Sequence, residues 1–185
     1  RKGSADLLTA AKEWATHFDV PLLERASKGS LEELRQQNNL DAILVATADG
    51  PQIYNNEGTF FYHPGMAVLR LQRLKNNEHD HFAKALELGE GMRVLDGTLG
   101  LAGDDAIASY LVGEKGKVVG VEASLLLHLV VGKGLRSYEA EDHDLTEALR
   151  RITTVQATAE EYLETCQADS FDVVYFDPMF RYPVQ

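Results

Sequence analysis

The sequence predicts an α/β chain, a doubly wound parallel sheet of the Rossmann-like kind preceded by a small α+β unit. Three observations carry this. From residue 89 onward, short β-branched runs alternate with helical stretches, and repeated strand-helix units need a parallel sheet covered on both faces. The first of those runs feeds a glycine-rich turn that opens a helix. Before residue 60 the pattern is different, with an amphipathic helix and two short apolar runs joined by Asp49-Gly50. The predicted units are therefore 1–59 and 60–185.

In chain order, Leu7, Leu8, Ala11, Trp14, Ala15 and Phe18 fall at helical spacing and predict a helix over 6–18. Residues 22–25 read as a short strand. Ser30 is an N-cap for a helix over 31–37, with Glu33 at the capping-box position. Residues 42–47 and 52–55 make a hairpin. In the second unit, strands are predicted at 92–95, 117–121, 152–155 and 171–176. Helices are predicted at 105–112, 125–135, 144–151 with Asp144 as cap, and 159–165. The alternation stops after the fourth strand, so the sheet is expected to lack C-terminal strands, with an exposed edge that a homodimer would cover.

The 185 residues are 44% hydrophobic and 25% charged, ordinary globular usage. No run approaches the roughly 20 apolar residues of a membrane span, and no apolar signal core follows the first residues. One cysteine, Cys166, excludes an internal disulfide and fits a cytoplasmic protein. The net charge of −11 argues against broad attraction to nucleic acid. RNA contact would have to be local, and the compact basic stripe is Arg70, Arg73 and Lys75. A solvated helix face is the plainer reading of that stripe.

The densest chemistry lies in the turn after the first parallel strand, Asp96-Gly97-Thr98-Leu99-Gly100-Leu101-Ala102-Gly103-Asp104. Small residues let the backbone approach a ligand, and the helix start offers free N–H groups. Glu122 ends the next strand, about 20 residues further on, where an acid accepts hydrogen bonds from ribose hydroxyls. Asp96 at the head of the turn would repel a pyrophosphate and attract a sulfonium with an ammonium group, which favours S-adenosylmethionine over NAD. Asp177-Pro178-Met179-Phe180 ends the fourth strand, beside the crevice where open α/β sheets bind ligands; an ordinary Asp-Pro turn is the plain alternative.

The turn resembles motif I of class I methyltransferases, and Asp177 to Phe180 resembles their (Asp/Asn)-Pro-Pro-(Tyr/Phe) motif. Together with Val174-Tyr175-Phe176 they are similar to the methyltransferase family that contains the ribosomal small subunit methyltransferase J type, over roughly residues 60–180. The resemblance implies that Asp96, Gly97, Thr98 and Gly100 hold the methionine side of the cofactor and Glu122 the ribose. It places Thr158 by the adenine, where many relatives carry Asp or Asn. It implies that Asp177 and Pro178 hold an exocyclic amine of an RNA base, with guanine N2 of ribosomal RNA as the type's target, while Phe180 stacks on that base. Methylation of a small molecule or protein, and a binding module without turnover, remain open. An NAD dehydrogenase would leave Asp96 and the tetrapeptide without a role.

Residues 60–66, with Tyr62 and His63, read as aromatic packing between the two units or as a substrate contact. His79-Asp80-His81 lacks a third ligand, so no metal is expected. His128 reads as a satisfied packing residue.

Overall fold

The computed structural model describes residues 4–25 and 29–178. Two compact units divide after Tyr62. In the first, α1 (Ser4–His17) and α2 (Leu31–Gln37) accompany an antiparallel sheet of β1 (Ala42–Thr47), β2 (Gly50–Asn55) and β3 (Gly58–Phe61) in the order β1-β2-β3. The Ser30 hydroxyl accepts from the Glu33 amide and the Glu33 carboxylate from the Ser30 amide at 3.0 and 2.9 Å, the expected capping box. Leu44 pairs with Ile53 in the expected hairpin. One expectation fails here, and one strand is added. Residues 22–25 form no strand, having no pairing partner among the described residues. Phe60 and Phe61 belong to β3, reached by a turn in which the Asn55 side chain accepts from the Glu57 and Gly58 amides.

The second unit contains α3 (Ala67–Lys75), α4 (His81–Ala85), β4 (Arg93–Asp96), α5 (Gly103–Val112), β5 (Lys117–Glu122), α6 (Leu125–Ser137), α7 (His143–Arg151), β6 (Thr153–Gln156), α8 (Ala159–Thr165) and β7 (Val173–Tyr175). Its four strands are parallel, in the order β6-β5-β4-β7. The predicted α/β class is what the chain forms. Helices α3 and α4 are additions, and the cap of α7 is Asp142 rather than Asp144, since Asp142 accepts from the Asp144 amide.

Successive strand residues point to opposite faces, and here both faces are buried. Val94 and Val118 pack with Ala108 and Val112 of α5, with Phe82, Leu88, Met92 and Val173 around them. Leu95, Val119 and Val121 pack with Val155, Ala157, Tyr162 and Phe171. This explains the continuous apolar strands. The order of strands also fixes where a ligand can sit. The chain moves outward from β4 to β5 and β6, then returns to the other side of β4 with β7, so the carboxyl end of β4 is the point where strand order reverses, the place where open sheets of this kind bind ligands.

Candidate active site

Asp96 is the last residue of β4 and 4% exposed. Its Oδ1 accepts from the Thr98 amide at 2.6 Å and from the Thr98 hydroxyl at 2.9 Å. Burial raises its pKa, and the two Thr98 hydrogen bonds work against that rise by stabilising the carboxylate. The turn continues with the Leu99 amide donating to the Val121 carbonyl and the Ala102 amide to the Leu99 carbonyl. Gly100 and Ala102 take positive φ of 50° and 58°, a conformation that glycine adopts without cost. Gly97 lets the ring of Phe176 lie against the turn: a Cβ there would stand 2.2 Å from that ring and push it aside.

Glu122 ends β5, the strand beside β4, and its Oε1 accepts from the Ser124 amide at 2.8 Å. Asp96 is in register with Gly120, two residues before Glu122. The two acids therefore stand at the carboxyl ends of adjacent parallel strands, on the same edge of the sheet. Asp177 and Pro178 follow β7 on the other side of β4, exposed to solvent. The Gly97 amide donates to the Tyr175 carbonyl at 2.9 Å, extending the ladder, and the Asp177 amide donates to the Thr98 hydroxyl at 2.7 Å. Turn and tetrapeptide, far apart in the chain, are thus in direct contact. Met179 and Phe180 lie outside the described residues.

Thr158 stands after β6 as the N-cap of α8. Its oxygen accepts from the Glu161 amide at 3.2 Å, while its own amide donates to Glu161 at 3.0 Å. Those bonds hold the Glu161 carboxyl below its ordinary range. The hydroxyl proton is what Thr158 has left to offer an adenine.

Three residues beside this site were assigned no role in it from the sequence. Asp105, in the first turn of α5, is 2% exposed; no N–H or hydroxyl among the described residues reaches its carboxyl oxygens, and its partner is the Asp96 carboxylate, to which a protonated Asp105 donates. Burial, then the nearby Asp96 charge, pushes its pKa well above the usual carboxylate range. The sequence signal was its spacing: Asp105, Ser109 and Val112 share the inner face of α5, and all are buried. Arg70 pairs with Asp80 at 2.7 Å and with Asp104, and lies over the Phe82 ring at 5.4 Å. Burial opposes its charge, but Asp80 and Asp104 outweigh that and raise its pKa. Tyr175 donates to Asp104 at 3.1 Å and meets Phe82 edge-on, and burial ahead of the Asp104 charge raises its pKa.

The basic stripe is consequently neither bare nor simply solvated. Arg70 is held as described, Arg73 pairs with Glu78 at 2.9 Å, and Lys75 pairs with Asp142 and Asp144 at 2.7 Å each. Asp80 caps α4 and binds Arg70, so its carboxylate is spent there. No group of three His, Cys, Asp or Glu stands close enough for a metal ion among the described residues. The His63 Nδ1 accepts from the Gly65 amide at 3.2 Å, closing a turn. His128 departs from the satisfied packing residue expected, because its Nε2 is buried without a hydrogen bond among the described residues. The Cys166 thiol donates to the Tyr162 carbonyl at the end of α8.

The donor set suits a cationic nucleoside. A buried carboxylate heads the turn and a second acid ends the adjacent strand, whereas a pyrophosphate would meet the Asp96 carboxylate at the head of the turn. A family model described as "Putative SAM-dependent methyltransferase" matches residues 33–184. The chain belongs to that family. As a SAM-dependent methyltransferase it takes S-adenosylmethionine as cofactor. The chain is 37% identical over 183 residues to an uncharacterised protein of Bacillus subtilis, YpiP, covering 98% of this chain and 70% of that one. It is 31% identical to a ribosomal RNA small subunit methyltransferase J of Acinetobacter baylyi, over 92% of this chain and 64% of the relative. A solved SAM-dependent methyltransferase of Neisseria gonorrhoeae shares the fold with a TM-score of 0.63 at 19% identity, covering 92% of this chain and 66% of that one. The chain thus spans about two thirds of the length of these relatives. The similarity reaches well beyond residues 60–180, because it takes in most of the first unit too. No helix among the described residues is long and apolar enough to cross a membrane.

Proposed function

We propose that this SAM-dependent methyltransferase methylates an exocyclic amino group of a base in RNA, with guanine N2 of ribosomal RNA as the first target to test. The observation that carries the reading is the position of Asp177 and Pro178, which leave β7 directly beside the cofactor turn. The curated relatives named ribosomal RNA small subunit methyltransferase J support the same substrate class.

Bound S-adenosylmethionine supplies an electrophilic methyl carbon on a sulfonium. What the protein adds is alignment, because in-line displacement needs the nitrogen, carbon and sulfur in one row. An exocyclic amine is a weak nucleophile, its lone pair being delocalised into the ring. Accepting one amine N–H at the Asp177 carboxylate and the other at the Pro178 carbonyl turns the lone pair out of the ring and toward the methyl group. The methylated nitrogen then gives its proton to Asp177. Phe180 is proposed to stack on the base.

Asp177→Ala should bind the cofactor with unchanged affinity by calorimetry and lose about 10²–10³ in turnover, as for other single groups that meet charge in the transition state. The assay is transfer of a tritiated methyl group to ribosomal subunits and total RNA, followed by nucleoside analysis. Equal loss of binding and turnover would remove Asp177 from its role. A net charge of −11 with Arg70, Arg73 and Lys75 all ion-paired favours a second reading, a small or protein substrate. Labelled protein or small molecule in place of labelled nucleoside would decide for it.

A further inference from the structure

We propose that Thr98 is a positioning residue whose hydroxyl fixes the Asp177 backbone to the cofactor carboxylate Asp96, so that cofactor and target amine are set in a single frame. The proposal rests on the reading of Asp177 as the group that holds the amine. It assigns Thr98 an action through its neighbours, in place of the direct contact with the cofactor that the family resemblance implies.

The geometry fixes the direction of the bonds. The Asp177 amide can only donate, and it donates to the Thr98 Oγ1 at 2.7 Å. The hydroxyl has one proton, and the acceptor beside it is the Asp96 Oδ1 at 2.9 Å. The chain therefore runs from Asp177 N–H through Thr98 O–H to the Asp96 carboxylate, and such chains polarise each link in the same sense. Glycine at this position would leave Asp96 its backbone bond from residue 98 at 2.6 Å, but would leave the Asp177 amide without this partner. The ladder bond from the Gly97 amide to Tyr175 ends two residues before Asp177. Beyond it, Thr98 holds the first residue of the tetrapeptide against the turn. Asp177 and Pro178 are solvent-exposed, so little packing holds them otherwise. Displacement of a reacting group by about 1 Å costs on the order of 10²-fold in rate, so a lost tether should appear in turnover.

Thr98→Val keeps the shape and the backbone bond to Asp96 and removes the hydroxyl. Thr98→Ser keeps the hydroxyl. Two readouts are needed, and one requires no substrate. Amide exchange at Asp177, followed by NMR or mass spectrometry in the full chain, should speed up by about 2- to 10-fold in the valine variant, the worth of one hydrogen bond, and stay at the wild-type rate in the serine variant. In the methyl-transfer assay the valine variant should lose 10-fold or more in kcat with cofactor Kd changed by less than about 3-fold, and serine should restore most of the rate. Unchanged exchange at Asp177, a loss confined to cofactor Kd, or no rescue by serine would each overturn the proposal. Failure of the underlying reading looks different: Asp177→Ala would keep its turnover while the exchange result at Asp177 still held.

Discussion

The two sheets of this protein are built from similarly apolar strands, yet they bury them to different degrees. In the antiparallel sheet, β1 and β2 are half-buried along almost their whole length and β3 is mostly exposed. Among the described residues the first unit buries Pro51 of β2 fully, whereas the fully buried aliphatic side chains, from Ala67 to Ile152, all lie in the second unit. A sheet with helices against both faces buries alternate residues twice over, whereas a three-stranded meander in a unit of about 60 residues has too little chain to close its core. Apolar pattern alone does not fix burial; the number of covering layers does.

Substitutions in the two cores should sharpen that contrast. Leu95→Ala removes a side chain that is 1% exposed, and should cost about 2–5 kcal/mol. Leu44→Ala in β1 removes one that is half-buried, and should cost about 1 kcal/mol. Urea unfolding followed by a probe in each unit reads both, and equal losses would break the comparison.

Gly120→Ala tests how tightly the second core is filled around the site. The new Cβ would stand 2.3 Å from Leu99 Cδ1 and 2.9 Å from Asp105 Oδ1. Overpacking of this kind should cost about 1–3 kcal/mol, and because Leu99 lies in the turn, cofactor affinity should weaken with it. Calorimetric titration beside a thermal melt reads the pair. A stability loss with no change in affinity would separate the turn from the core beneath it.

The smallest effects are in pH, and the two units should respond in opposite senses. Asp105 has a raised folded pKa, so it contributes stability that is complete below about pH 4 and is lost as pH climbs through its folded value. Asp105→Asn should therefore gain on the wild type as pH rises. Glu32 is lowered to about 2, first by its hydrogen bond to Arg35, so its contribution is present above about pH 4.3 and is lost as pH falls toward 2. Glu32→Gln should approach the wild type as pH falls, by a small margin because the group is exposed. Melting curves over a buffer series check both, and parallel curves would refute both.

Locally written features were legible in the chain. The Ser30 and Glu33 cap, the Asp49-Gly50 hairpin and each strand-turn-helix step of the second unit depend on residues a few positions apart. Helix α3 was not legible because its N-cap, Met66, makes no side-chain capping bond. Strand β3 was hidden in a run of aromatics, although the Asn55 turn before it was a usable signal.

By itself, the sequence determined the α/β class, the glycine-rich turn after β4 and the placing of an acid at the end of each of two strands, since periodicity, turn chemistry and caps act within one or two elements. Only the tertiary structure decided that Asp177 touches Thr98, that Arg70 joins Asp80 to Asp104, and that Asp105 is sealed from water. The first of these follows from strand order. When the chain returns past β4 with β7, it joins residues dozens of positions apart, and pairing at that distance has no local pattern to announce it.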